Sequence, residues 1–255
     1  MELKITPPNE FDDPIEFTPR LADSAREQAA VCRRIHRCGV SLSEATIAEA
    51  KLQLIAGAPK AAREIWSKYL VVLCLSEKPD IPTQWSLYAD KHTGLALELD
   101  TAMPPFSAFR LPNPSGDRLF FRVRYCLPEE KMAQELFAAM EENENGNPDP
   151  FTRILFQSAA EKSRQWCLEQ ESRLVRPILN TDGELPAEIK RRLVNGKVMY
   201  FLQITAETIS RVILGANASE EFEREVRKAA AHRGIAADRI IRARLDHQHL
   251  AAKIP

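Results

Sequence analysis

The sequence predicts an α+β fold, a mixed sheet core behind a helical N-terminal layer, in a single domain spanning residues 1–255. Three observations lead there. Residues with helical apolar spacing dominate the first part of the chain, short branched or alternating apolar runs interleave with helices after it, and no repeat or low-complexity linker divides the two parts. The expected layout is a helical layer over 1–67, an α/β core over 68–245 and a tail over 246–255.

After a proline-rich opening, Leu21 to Trp66 reads as three helices broken at Gly39 and at Gly57 to Pro59. Ser41 or Ser43 suits the N-cap of the second, where a hydroxyl accepts from an orphan backbone N–H. YLVVLCLS, Tyr69 to Ser76, is a continuous branched apolar run, the pattern of a strand buried on both faces. Pro82 opens a helix expected to reach about Lys91, with Gly94 as a left-handed cap. LALELD, from Leu95, alternates apolar and acidic residues as a half-buried strand does. LFFRVRY is a further strand, Pro128 to Glu144 a helix with acidic residues in its first turn, and ENGNPDP a loop. A helix from Phe151 to about Gln165 then leads into CLEQESRLVRPIL, whose end reads as extended. VMYFLQI, SRVILG and RIIRARL supply the remaining strands, and Ser219 caps a helix that Gly234 ends.

Composition bounds the function classes. With 35 basic against 36 acidic residues and no block of either sign, the chain has no global field for nucleic acid or an anionic membrane. The five cysteines have no CxxC spacing, which points to free thiols in a reducing compartment. No signal-peptide pattern and no apolar run of spanning length occurs, so the expected location is the cytoplasm. GxGxxG, Walker A, HExxH and GxSxG patterns are absent, and no metal site is expected; DHQH, Asp246 to His249, reads as exposed tail.

Two stretches carry candidate chemistry. On a helix Trp85, Tyr88, Ala89 and His92 share one face, either as packing or as a pocket wall that stacks a flat ring while the imidazole or phenol orients it. In WCLEQESR, a strand puts Glu169, Glu171 and Arg173 on one face, with shifted pKa values suited to stabilising a sugar cation. A helix reduces the same residues to an ordinary i, i+4 pair.

FDDPIEF (Phe11 to Phe17), LSE with QWSLYADKHTG, KSRQWCLEQESR (Lys162 to Arg173) and RVILG occur in an order that resembles the bacterial domain of unknown function 2971 family, often found near phage-defence genes. Within that resemblance the serine strand followed by an E-x-E strand is similar to the arrangement in ADP-ribosyltransferases. The resemblance implies NAD as substrate, in a toxin or defence setting, with Glu171 and Glu169 as catalytic carboxylates. It implies Ser76 as the pocket serine, Tyr88 or Trp85 as the nicotinamide platform, and His92 and Arg173 as neighbouring binding residues. Cys74 stands where the family has its first serine. The family's upstream strand with a Tyr-Arg pair is expected to be missing, leaving Arg20, Arg122, Arg124 or Arg173 as the phosphate-binding cation. The alternative is a non-catalytic binding or structural module, an inactive copy with a protein partner; a weaker alternative is a nucleic-acid-processing enzyme using the same carboxylates with Mg²⁺.

Overall fold

Among the described residues three three-stranded β-sheets share the main apolar cluster, and the way their strands alternate decides where polar side chains collect. The computed structural model describes residues 1–13, 16–17, 63–64, 66–68, 70–109, 120–126, 159–178, 185–246 and 251–254. The helices read from Leu21 to Trp66 therefore lie almost entirely outside the described residues, as do those at Pro128 to Glu144 and the start of the one at Phe151. The class is α+β, with antiparallel and mixed sheets and helices in one chain.

The first strand, β1 (Glu2–Ile5), pairs antiparallel with β9 (Lys197–Gln203), which pairs in turn with β8 (Ile189–Val194). The proline-rich opening is thus part of the sheet system, and the chain does carry a strand upstream of FDDPIEF, though without a Tyr-Arg pair. Asn195 and Gly196 join β8 to β9 with φ of 50° and 77°, the two left-handed residues that a tight hairpin turn demands. A two-way bridge between Thr6 and Val72 links this sheet to a second group ordered β2–β7–β4. Its strands are β2 (Leu70–Ser76), β7 (Glu171–Pro177) and β4 (Phe120–Arg122).

In a third sheet, whose buried residues join the same apolar cluster, β3 (Leu95–Leu99) pairs antiparallel with β10 (Ile209–Leu214), which pairs in parallel with β11 (Ile240–Arg242). Helix α1 (Pro82–Tyr88) links β2 to β3, α2 (Phe106–Phe109) follows β3, and α3 (Glu220–His232) makes the crossover between β10 and β11. The Ser219 hydroxyl accepts from Phe222 N–H and so caps α3, and Gly234 ends it at φ 76°.

Period-two alternation along β2 and β7 sorts their side chains. Val71, Leu73 and Leu174 join Ile5, Leu202, Val212 and Leu214 in the core between the sheets, each fully buried side chain contributing roughly 1.5–3 kcal/mol. Leu70, Val72 and Val175 go to the opposite face with Phe17, Trp66 and Ala159. Further along that opposite face, the register Cys74↔Arg173 and Ser76↔Glu171 replaces the apolar pairs with polar ones. Among the described residues no helix is long and apolar enough to cross a membrane.

The LFFRVRY segment forms two strands instead of one, β4 and β5 (Arg124–Cys126), because Val123 turns aside to donate its N–H to Glu171 O at 2.9 Å. β5 then pairs in parallel with β6 (Glu161–Ser163), so the helix expected to reach Gln165 gives way at Glu161. The presumed tail also holds a strand, β13 (Ala251–Lys253), antiparallel to β12 (Arg244–Asp246).

Candidate functional site

The segment from Glu161 to Arg173 folds in three steps that gather its charges. After β6, a 3-10 helix runs from Arg164 to Glu169, and Gln170 takes the left-handed conformation at φ 46°. Only then does β7 begin. Glu169 is therefore not a strand neighbour of Glu171, and the shared strand face expected for Glu169, Glu171 and Arg173 holds for the last two alone. The Lys162 ammonium restores the association from outside the strand, at 2.5 Å from Glu169 and 3.1 Å from Glu171.

Arg173 lies completely buried beneath Glu171. Its guanidinium holds that carboxylate in a fork, Nε to Oε1 at 2.6 Å and Nη2 to Oε2 at 3.1 Å, and donates through Nη1 to Ala159 O at 2.9 Å. The FDDPIEF segment closes over the cluster. Glu16 bridges both cations, accepting from Lys162 and from Arg173 at 2.8 Å each. Phe11 and Phe17 place their rings 5.6 and 5.1 Å from the guanidinium carbon, in cation–π range. Asp13 accepts from the Trp166 indole at 2.8 Å. Two of the motif segments, far apart in sequence, thus form one interlocked unit.

The electrostatics follow from burial and pairing. Burial opposes ionisation of Glu171, but Arg173, then Lys162 and the Cys74 thiol that donates to it, outweigh this and hold its pKa below the usual range. For Glu16 burial prevails over both cations, and its pKa is raised. Lys162 is the converse case, where burial is outweighed by Glu171 and Glu16 and the ammonium keeps its proton more firmly than usual. The Cys74 surface opens onto a groove, yet the thiol sits deep among protein atoms; this and the Glu171 charge raise its pKa, so it is a hydrogen-bond donor and not a thiolate. The Tyr125 hydroxyl accepts from Glu171 N–H at 2.7 Å, pinning the start of β7.

Two cavities meet here. One, of about 440 Å³, is lined by Ser76, Tyr88, Lys162, Trp166, Glu169 and Glu171 among others. The other, of about 820 Å³, extends toward β3 and is lined by Trp85, Lys78, Glu77, Arg122 and Phe120. Cys74, Leu75, Ser76, Gln84 and Tyr88 belong to both walls. Ser76 stands directly opposite Glu171 in the β2–β7 register, and its hydroxyl donates to Glu169 O and Lys78 O, 3.0 Å from each. At the rim Arg122 pairs with Glu77 at 2.5 Å.

The aromatic stripe does not act as one wall. Helix α1 stops at Tyr88, and Asp90, Lys91 and His92 all take positive φ, the left-handed turn that had been expected at Gly94. His92 thereby folds back and stacks on Trp85 at 5.8 Å and 7°. Trp85 is buried against Ala89, Ile213 and Ala243, with its indole donating to Pro79 O at 2.6 Å. These two residues fasten α1 to the β3–β10–β11 sheet. Gly215 is part of the same fastening, because a Cβ there would meet His92 O at 2.1 Å. Only Tyr88, 67% exposed, reaches the carboxylate cavity.

Ser76, Tyr88, Glu169 and Glu171 are thus brought together on one cavity, with Arg173 beneath it; Trp85 reaches the larger cavity only, and His92 lines neither. Sequence reasoning missed Glu16 and Lys162. Their signal was present, since both lie inside the quoted motif segments, but nothing in the spacing says that they meet. Asp246 to His249 lies at and beyond the edge of the described residues. No family model, curated protein or solved structure matches the chain.

Proposed function

We propose that the joined cavities bind NAD as substrate and that the protein is an ADP-ribosyltransferase-like enzyme acting in the cytoplasm. The observation that carries the reading is the cross-strand pair Ser76 and Glu171 on one cavity, with Tyr88 on its wall. Cleaving a ribosyl–pyridinium bond develops positive charge on the sugar, and a fixed, ionised carboxylate stabilises that charge in a site that excludes water. Glu171 has the ionisation and the rigidity for this, since Arg173, Lys162 and the Tyr125 contact hold it in place. Tyr88 offers the ring for a flat base. The diphosphate would be repelled by the carboxylate cavity and is assigned to the larger one, where Lys78 and Arg122 stand.

Thermal unfolding with NAD tests binding. A ligand at 100 times its Kd stabilises by about 2.7 kcal/mol, a rise of several degrees in Tm. The expected result is that rise in the wild type and in Glu171→Gln, and its loss in Tyr88→Ala. No rise in the wild type would remove the reading.

A second reading has its own support. Both Glu171 oxygens accept hydrogen bonds from protein cations, so the same network would equally stiffen a non-catalytic binding module. In that case NAD leaves Tm unchanged, while Glu171→Gln lowers it.

A further inference from the structure

The hairpin of β8 and β9 extends past the core that its sheet covers. On the face turned to the core, Ile189 and Leu202 are buried opposite each other, and the next pair, Arg191 and Tyr200, already reaches solvent. The pair after that, Leu193 and Val198, is 72% and 36% exposed, one step from the Asn195–Gly196 turn. Behind this apolar tip stand cations. From Ile189 to Gln203 the hairpin carries Lys190, Arg191, Arg192 and Lys197 and no acidic residue, although the whole chain has a net charge of -1. Two carboxylates from outside the hairpin reach them, and each is shared. Glu2 lies between Lys190 and Arg192, at 3.7 and 2.7 Å, and Glu10 between Lys197 and Lys4, at 3.1 and 3.6 Å. Glu188, just before β8, is taken by Arg176. Arg191 joins no ion pair among the described residues. The paired cations are about half exposed, while the Glu2 and Glu10 side chains lie lower, at 20% and 14%. An approaching surface therefore meets the positive ends first.

We infer that this hairpin docks the protein on an anionic bilayer, with Leu193 and Val198 in the boundary between headgroups and acyl chains and the cations on acidic headgroups. Two independent observations set the chemistry of the partner. Exposed cations in excess select a negative surface, where each gains roughly fivefold in affinity. The apolar pair ahead of them gains only from a non-aqueous phase, which a phosphodiester backbone does not offer. The spacing agrees. A strand rises about 3.4 Å per residue, so Arg192 and Arg191 stand about 3–7 Å behind Leu193, within the depth of about 5–10 Å that an interfacial element spans. Charge on the β8 edge also opposes pairing with a second copy, because two antiparallel β8 strands would set like charges opposite each other. That role asks for no exposed leucine and valine at the tip. The inference goes beyond the NAD reading and does not depend on it.

Sedimentation of the full chain with lipid vesicles tests it, in the absence of NAD, so that its failure and the failure of the NAD reading stay separate. The wild type is expected to bind vesicles of equal parts phosphatidylserine and phosphatidylcholine saturably, at least about tenfold more tightly than vesicles of phosphatidylcholine alone, and to come off as salt is raised. Arg191→Gln with Arg192→Gln is expected to weaken binding about tenfold or more. Leu193→Gln with Val198→Thr is expected to weaken it several-fold. All four positions are exposed, so Tm is expected to stay near that of the wild type. Leu193→Trp keeps the tip apolar and is expected to bind at least as tightly, its added emission quenched by phospholipids brominated on their tails. No binding of the wild type to the mixed vesicles overturns the inference, as does equal binding to the two kinds of vesicle. Should the double variants fail to fold, unquenched added emission from vesicle-bound Leu193→Trp overturns it alone. Mixed-vesicle binding that survives loss of the apolar pair and yields to a single-stranded oligonucleotide would give this surface to nucleic acid and overturn the bilayer assignment.

Discussion

Arg173→Ala is expected to lower stability by about 3–5 kcal/mol, roughly 6–20 °C in Tm for a domain of this size. The cause is less the lost attraction than what remains. Glu16 and Glu171, 4% and 6% exposed, would each lose a partner inside a site that cannot solvate them. The guanidinium also holds the Ala159 carbonyl and lies over the Phe11 and Phe17 rings, so its removal loosens the FDDPIEF segment as a whole. Replacing Arg173 by methionine together with Glu16→Gln and Glu171→Gln should recover much of the loss, since the penalty belongs to unpaired buried charge. Urea unfolding at neutral pH measures both. A loss below about 1 kcal/mol for Arg173→Ala would mean that water reaches the cluster freely, with the pairs behaving as surface pairs do.

Lys162→Met should cost a comparable amount, about 3–5 kcal/mol at pH 7, with a distinctive pH dependence. The ammonium stands between Glu16, Glu169 and Glu171. In the wild type the Glu171 pKa is lowered below its usual 4.5, so its stabilising share is present above that value and is lost as pH falls through the folded pKa. Glu16 has a raised pKa and works in the opposite sense, its share being full below 4.5 and lost as pH rises through the folded value. Lys162 lowers the pKa of both Glu16 and Glu171, so without it both carboxylates move toward protonation. The deficit of the variant relative to wild type is therefore largest near neutrality and shrinks toward pH 4 as the carboxylates protonate. Unfolding free energies from pH 4 to 8 measure it, and a deficit independent of pH would contradict the electrostatic account.

The legible parts of this molecule are those governed by local pattern. The branched run at β2, the alternation at β3, the Ser219 cap and the Gly234 stop are all decided by neighbours in sequence. β8 was missed although Asn195–Gly196 is a strong hairpin signal, because three consecutive cations interrupt the apolar residues of IKRRLV and four of its six positions are exposed. At the site, the proximity of Ser76 and Glu171 could be suspected from motif order, but their direct opposition depends on register, which long-range pairing sets. The end of α1 shows the same limit. Helical spacing placed His92 on the Trp85 and Tyr88 face, whereas three left-handed residues turn it back onto Trp85 and leave Tyr88 to the cavity. Glu16 and Lys162 meet across most of the chain, and no sequence period encodes that distance.

The proposed chemistry at Glu171 is tested most directly by release of free nicotinamide from NAD, followed chromatographically with wild-type protein and with Glu171→Gln. The account predicts release by the wild type and a fall of at least about a hundredfold in the variant, the scale of losing one preorganised charge at a developing cation. Release by the variant at the wild-type rate, or none from a wild type that binds NAD, would contradict it.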